Sequence, residues 1–444
     1  MTKKKFLISL MTATALVVPT MPASAQSIDE LKAQLALLAK RIEELEAKQA
    51  TNEAAIKEVQ VGEARMAAAQ TPSSTSPAKV EKKVESSTFT VTGRVFADMG
   101  WVNDGDDTTD LNGTEFRAAR IEVGGKVYDS VKYKLGIDVA GDDINITDAY
   151  LQYKTQNATT ISIGQFKGPN SLEELTSSRY ITFMERSSLT DAFDLRRELG
   201  ISVGRTGDGY TLTAAIMKGE AGSDITVDSD RLTLAARGTY GQATDMGTWL
   251  VGASVRYRET DDDGGFRYRQ RPHSHIAPRF VNTGTLSDKD FLIGLEGAYQ
   301  RGSFHVASEY MRLENSNGGT NSRDASFWGG YVEAGWFLTG ESKPLDLSKG
   351  SWGRPKVKSP IHEGGMGAWQ IAARYDVIDL TDNGVFGGEQ DTWMLGVNWY
   401  LNRNSRIMMN FSHSSIDDAF GVSLNGDDGK NSVDALGLRF QIDW

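Results

Sequence analysis

From about Thr88 to Trp444 the chain alternates apolar and polar residues with a period of two, segment after segment. Val131, Tyr133, Leu135, Ile137 and Val139 alternate with Lys132, Lys134, Gly136, Asp138 and Ala140. The same face recurs as Trp249, Val251, Ala253, Val255, Tyr257, as Phe291, Ile293, Leu295, Gly297, Tyr299, and as Trp393, Leu395, Val397, Trp399, Leu401. It ends as Leu436, Leu438, Phe440, Ile442 and a terminal Trp444. Such rows are strands with one apolar face. Many run about ten residues or more, longer than the usual globular strand and near the length at which a tilted strand crosses a bilayer. No apolar run reaches the roughly 18 residues that a helical span needs.

About sixteen such segments can be counted, beginning near residues 88, 115, 131, 146, 159, 199, 210, 231, 247, 289, 303, 325, 366, 390, 405 and 432. Short connections (Tyr128-Asp129-Ser130, Arg205 to Gly209, Arg301-Gly302-Ser303, Asn402 to Asn404) alternate with long ones (102–114, 167–198, 259–288, 415–431). That pattern predicts an all-β transmembrane barrel of about 16 antiparallel strands, with periplasmic turns and extracellular loops. An even count places both ends of the barrel on the periplasmic side. Residues 340–365 are long yet fall on the turn side. They are either a periplasmic loop or the sign of a strand miscounted. A soluble sandwich or solenoid fits less well, because sixteen Trp- and Tyr-rich rows exceed what one sandwich core can hold. A closed barrel turns those rows to lipid and leaves no unpaired edge in hydrocarbon.

The residues before the barrel follow other rules. Lys3, Lys4 and Lys5, an apolar stretch from Phe6 to Val18 and Ala23-Ser24-Ala25 predict a signal peptide over 1–25, hence export in a Gram-negative cell. A retained anchor helix is the alternative, but the stretch is short and is followed by Pro19 and Pro22. Residues 26–66 are read as a periplasmic coiled coil. Ile28, Leu35, Ile42, Gln49 and Ile56 occupy one heptad position and Leu31, Leu38, Leu45, Asn52 and Val59 the other. Its heptad stretch of 32 residues spans roughly 48 Å as a helix. A single amphipathic helix packed on its neighbour is the plainer reading. Residues 67–87, rich in Ser, Thr, Pro and Lys, are a linker, and the barrel is assigned to 88–444.

Composition removes several functions. With no Cys, neither a disulfide scaffold nor a thiolate metal site is available, and five His leave little room for a histidine cluster. No cofactor or metal is expected. A net charge of −11 speaks against nucleic acid as a partner. Asp104-Gly105-Asp106-Asp107 lacks the remaining ligands of a calcium loop and reads as an acidic outer loop facing divalent ions on lipopolysaccharide.

The stretch IGQFKGPNSLEELTSSRYITFMERSSLTDAF (163–193), continuing through DLRRELGISV, resembles the phosphate-selective porin O and P family. FLTGESKPLDLSKGSWGRPKVKSP (337–360) and GAWQIAARYDVIDL (367–380) extend the likeness over most of the barrel. The resemblance implies a homotrimeric, sixteen-stranded outer-membrane channel in which arginines and lysines guide small anions, and it favours a periplasmic excursion for 340–365.

Reading each polar face inward assigns Arg94, Arg120, Lys126, Lys132, Lys134, Arg231, Arg237, Arg256, Arg258, Arg374 and Arg439 to the lumen. Asp98, Glu122, Asp138, Asp148, Glu296, Glu309, Glu333, Asp376 and Asp443 join them, leaving a surplus of two bases. The 167–198 connection carries Leu172, Leu175, Ile181, Phe183, Met184 and Phe193, which suits a loop packed on the inner wall rather than standing in water. Its Lys167, Arg179, Arg186, Arg196 and Arg197 are candidate anion contacts at a constriction, since guanidinium forks fit phosphate and carboxylate oxygens. With Arg94, Arg120, Lys132 and Lys134 they form the expected substrate-contacting set. The opposing reading pairs these bases with Glu173, Glu174, Glu185, Asp191, Asp194 and Glu198. RYRQRPHSHIAPR (267–279) is a second basic stretch at the mouth, flanked by Asp261-Asp262-Asp263.

Three functions compete. The first is a water-filled channel for small anions, with phosphate or polyphosphate as candidate solutes. The second is a general or differently selective porin whose coiled coil tethers the outer membrane to peptidoglycan. The third is a barrel enzyme, disfavoured because His305 and His413, the histidines on strands, have no nucleophile motif nearby.

Overall fold

A computed structural model describes residues 87–103, 110–141, 144–219, 231–260, 265–286, 288–316, 324–417 and 431–444. The expected signal peptide, coiled coil and linker up to residue 86 lie outside the described residues, as do the acidic runs at 104–107 and 261–263.

The strands in chain order are β1 (Thr90–Asn103), β2 (Leu111–Tyr128), β3 (Val131–Asp138), β4 (Asn145–Lys154), β5 (Thr159–Lys167), β6 (Arg197–Thr206) and β7 (Tyr210–Met217). Next come β8 (Leu232–Thr244), β9 (Gly247–Glu259), β10 (Arg267–Gln270), β11 (Val281–Thr285), β12 (Lys289–Arg301), β13 (Phe304–Ser316) and β14 (Ala325–Phe337). The last are β15 (Leu345–Asp346), β16 (Ser351–Trp352), β17 (Ala368–Asp382), β18 (Val385–Tyr400), β19 (Ser405–Asp417) and β20 (Asn431–Asp443). Sixteen of them close an antiparallel barrel; β10–β11 and β15–β16 are separate hairpins within connections. Closure is made by β1 on β20, with Arg94 opposite Asp443 and Asp98 opposite Arg439. Trp444 adds two backbone hydrogen bonds to Gly93 and lays its indole over it, where any Cβ would come within 2.3 Å of the ring.

The apolar rows point outward. Leu135, Leu151, Ile163, Leu212, Val251, Leu295, Leu395 and Ile442 are all exposed, which a chain in water does not sustain and a lipid surface requires. Aromatic pairs mark the two edges of the band. Trp369–Trp399 and Tyr240–Trp249 stand towards the turn end, and Tyr375–Trp393 and Tyr310–Trp328 towards the loop end. Apart from the long turn-side connection 338–367, the expected alternation of long loops and short turns holds with one exception. β17 and β18 are joined on the loop side by Asn383-Gly384 alone, both at positive φ, the geometry of a tight hairpin.

The interior is not the open charged lumen that alternation predicts. Residues 168–196, between β5 and β6, fold into the barrel with two short helices, α1 (Leu172–Leu175) and α2 (Ser188–Ala192). Barrel carboxylates cap both helix starts. Glu309 accepts from Leu172 N and Glu173 N at 2.9 and 2.8 Å, and Asp376 accepts from Ser188 N at 3.0 Å. Leu172, Leu189 and Phe193 enter an apolar core with Phe266, Tyr268 and Phe280 of the β9–β12 connection and with Leu292, Leu313, Phe327 and Ile378 of the wall. Residues 338–367 are a periplasmic insert, so no strand was miscounted. Its hairpin β15–β16 also turns inward, burying Lys343, Leu345 and Trp352. Inside the barrel it meets the 168–196 loop: Lys343 Nζ donates to Thr182 Oγ1 at 2.7 Å, and Trp352 N to Thr176 Oγ1 at 3.1 Å.

These inserts correct the lumen assignment. Arg237, Arg256, Arg258 and Arg374 face inward as expected but are sealed under the inserts rather than facing water. Each is compensated: Arg237 by Glu296 (2.5 Å), Arg258 and Arg256 by Asp290 (2.5 and 3.5 Å), Arg374 by Glu333 (2.6 Å) and by Glu173 of the loop. Alternation reports the side a residue faces, not what covers it.

Glu173 also accepts from Ser187 N at 2.7 Å, tying the two ends of the loop's inner turn together. Glu173→Gln removes one of the two carboxylates that compensate Arg374 in a sealed site and leaves Glu333, a change that costs about 1.5–3 kcal/mol. The expected result is faster tryptic cleavage at Arg179 and Arg186 in detergent and noisier open-channel current. Wild-type protease resistance would show that the loop is held elsewhere.

Candidate functional site

With one half of the interior filled, the free space lies along the other. A cavity of about 750 Å³ runs between the inner face of β1–β5 and the 168–196 loop, with residues 270–279 above it. Its lining carries twelve Arg or Lys and seven Asp or Glu, a surplus of five positive charges in a chain of net −11. Eight of the nine expected contact residues line it: Arg94, Arg120, Lys134, Lys167, Arg179, Arg186, Arg196 and Arg197. Lys132 does not. It lies on a smaller opening at the turn end, beside Lys126, Thr88 and Gln152, which shares Glu122 and Lys134 with the main cavity.

The wall bases come with built-in counter-charges. Arg94 donates to Glu122 at 2.9 Å, Lys134 bridges Glu122 and Asp148 at 2.9 and 2.7 Å, and Arg197 reaches Asp148 at 2.9 Å. Arg120 is fixed to Asp138 at 2.5 Å. Lys167, at the end of β5, and Arg186 of the loop share Glu174 at 3.0 and 2.9 Å. Two loop bases are held more loosely: Arg196 is 3.4 Å from Asp194, and Arg179 is 3.9 Å from Asp443. Arg94 and Arg179 also hold the loop hydroxyls of Ser178 (2.8 Å) and Ser177 (3.3 Å). The arrangement is a field of guanidinium and ammonium groups around water, with carboxylates that limit how tightly any one anion can be kept.

Arg117 belongs to this lining although strict alternation turns it outward. The pairing of β1 with β2 slips between Phe96 and Ala97, leaving Arg117 as the extra residue. The bulge resets parity, so Arg117 and Arg120 of one strand both face the cavity. No period-2 reading finds such a residue. Arg271 and Arg279 of the second basic stretch also line the cavity, and His275 of the same stretch pairs with Glu115 at 2.8 Å.

Glu185 locks the loop to the wall. It accepts from Arg117 at 3.0 Å and from Arg439 at 3.0 Å. Burial works to raise its carboxyl, but the guanidiniums of Arg117 and Arg439 overrule it and hold it at about 2. Burial pushes His273 down to about 3, so it is neutral at physiological pH.

His273 places its Nε2 3.2 Å from Ser188 Oγ and 3.7 Å from Asp376. This is not a nucleophile triad. Hydroxyl and carboxylate face the same ring nitrogen, Nδ1 has no partner, and Ser188 is fully buried. The strand histidines behave as structure: His305 is sealed against Trp352 and Phe337, and His413 pairs on the outer face with Asp434 at 2.7 Å.

A closed sixteen-stranded barrel with an apolar exterior and a charged, water-lined passage defines an outer-membrane diffusion channel. Residues 89–444 match the family Phosphate-selective porin O and P, and the chain belongs to it. It is 27% identical to Porin O of Pseudomonas aeruginosa over 77% of this chain and 85% of that one. It is also 30% identical to a Caulobacter vibrioides protein carrying the name "Uncharacterized protein", over 80% of this chain and 74% of that one. Among solved structures, the anion-selective porin from Comamonas acidovorans superposes with a TM-score of 0.57 at 13% identity, over 81% of this chain and 100% of that one. The outer membrane channel DcaP of Acinetobacter baumannii gives 0.53 at 13%, over 83% and 100%. These two likenesses are of fold. The chain is a porin channel of the Gram-negative outer membrane.

The depressed Glu185 carboxyl sets a pH window. Its contribution to stability is complete above about pH 5, declines as pH falls from there and is gone below about 2. Loop-dependent current noise is therefore expected to match between pH 8 and 5 and to rise at the acid end. Glu185→Gln should show the acid behaviour at neutral pH. Equal noise in the two proteins at pH 7 would count against the lock.

Proposed function

We propose that this porin passes small anions by passive diffusion, phosphate and polyphosphate among them, and that Arg94, Arg120, Lys132, Lys134, Lys167, Arg179, Arg186, Arg196 and Arg197 are the groups the solute touches. The observation that carries the proposal is the reversal of charge between the whole chain, at −11, and the cavity lining, with five more bases than acids. Residual positive potential raises the local concentration of anions and excludes cations. Because each wall base already has a carboxylate, an anion is exchanged between partners rather than trapped. That suits conduction, which needs several weak sites in series. The anion-selective porin of similar fold supports this direction of selectivity.

The same proposal includes a homotrimer, since porins of this fold include a trimeric form, contact with outer-membrane lipid and lipopolysaccharide, and export directed by residues 1–25. It also includes a coiled coil over 26–66, joined by the linker 67–87 and reaching towards peptidoglycan. The anchoring role is compatible with transport.

The test is the zero-current potential of the purified protein in planar bilayers under gradients of potassium chloride and potassium phosphate. Anion selectivity is expected. Arg179→Ala, which removes one weakly compensated charge from the passage, should lower the anion-to-potassium permeability ratio about twofold, the effect of one charge some 8 Å away in water. A cation-selective wild-type channel would end the anion reading.

A further inference from the structure

The turn end of the barrel is basic. Among the described residues it exposes seven bases, Lys132, Lys154, Arg205, Arg301, Lys356, Lys358 and Arg403, against four carboxylate side chains, Asp129, Asp208, Asp245 and Glu363. One of the four, Asp129, is already within 3.6 Å of Lys126. In a chain of net −11 such a face is not a by-product of overall charge.

Its densest part is rigid. The insert runs Pro355-Lys356-Val357-Lys358 with alternating orientation: Pro355 is buried, and Val357 packs on Phe337, Ala368 and Tyr400. Lys356 and Lys358 are exposed on the other side, and the Lys358 ammonium donates to the carbonyl of Gly340, which fixes it on the insert. Arg354 clamps the segment by a forked pair of 2.8 Å contacts with Asp443 and a further bond to the backbone carbonyl of Arg403. Ile361 N donates to Leu401 O at 2.9 Å, fixing the far side of the insert on the same turn. Among the described residues neither Lys356, Lys358 nor Arg403 has a carboxylate within ion-pair distance. Bases held outward by a folded platform meet a polyanion without the entropy cost of ordering a flexible tail.

We infer that this platform binds the carboxylate-bearing peptides of the cell wall, so that the barrel itself, and not only its N-terminal extension, contacts peptidoglycan. The face looks into the periplasm, and a polymer presenting carboxylates in two dimensions matches several outward bases at once. Single exposed pairs contribute little, whereas a set acting together on one polymer contributes through avidity. The inference requires only the orientation of the barrel and does not depend on the solute the channel carries.

The probe is purified Gram-negative sacculi, co-sedimented with detergent-solubilised full-length protein and with a form lacking residues 26–86. Both forms are expected to sediment at about 50 mM salt and to release as salt rises. Lys356→Glu combined with Lys358→Glu and Arg403→Glu should weaken binding of the shortened form about tenfold, with unchanged conductance serving as the check that the barrel is folded. Amidation of the sacculus carboxylates should have the same effect on wild type. Binding that ignores both the charge reversal and the amidation, or a shortened form that never sediments, overturns the inference. A cation-selective channel that still sediments leaves it standing while ending the proposal on anions.

Discussion

A backbone in hydrocarbon has nowhere to place an unpaired N–H or C=O, and this one constraint arranges the rest of the molecule. It forces the sheet to close, which β1 and β20 achieve with Trp444 folded over Gly93. Closure with period-2 strands then divides the side chains into two populations without reference to function. The outer one is apolar and exposed to lipid. The inner one is whatever remains, and here it is far too charged to be packed dry without compensation.

The chain resolves that surplus by splitting the interior. Towards β9–β18 the 168–196 loop, the β9–β12 connection and the β15–β16 hairpin build a core of the kind found in soluble proteins, with Leu172, Phe193, Tyr268 and Phe327 at its centre. Charges caught under it are matched in place, as Arg374 is by Glu333 and Glu173. Towards β1–β5 the charges stay wet, and bases outnumber acids. The same residue type thus does two things. A guanidinium sealed with carboxylates holds a loop; one left beside the cavity with a distant counter-charge stays accessible from it. Arg374 and Arg179 are the two extremes. Lys343 and Trp352 add a further consequence, because they seat the periplasmic insert on the constricting loop and make the two ends of the channel share one support.

How much of this can be read from residues alone follows from the range of the interaction. Strand positions are local, since alternation needs only neighbours, and each of the sixteen segment starts falls within five residues of the start of a barrel strand. The inward loop is also visible, because Leu172, Phe183 and Phe193 make no sense in water. What escapes is non-local. Arg374 and Glu173 are 201 positions apart, and nothing near either announces the other. The bulge at Arg117 is decided by pairing between two strands and inverts the facing of every residue above it. Lys132, correctly turned inward, lands on the outlet rather than in the main cavity, because depth along a strand depends on tilt and stagger, which alternation does not encode.

The compensation of the wall bases bears on selectivity in a way that a bare count of arginines does not. Arg94, Lys134 and Arg197 are strung together by Glu122 and Asp148 into one chain of alternating charge. An anion approaching any of them must compete with a carboxylate already at contact distance. On the proposed anion path, affinity at each step is thereby reduced, while the net positive balance repels cations. A passage lined with the same bases and no acids would bind phosphate more tightly and pass it more slowly. Carboxylates in the lining are therefore consistent with an anion path, and what distinguishes such a path from a cation path is the residual sign after pairing. Here that sign is positive, and two loosely compensated charges, Arg179 and Arg196, sit on the inserted loop that lines the cavity.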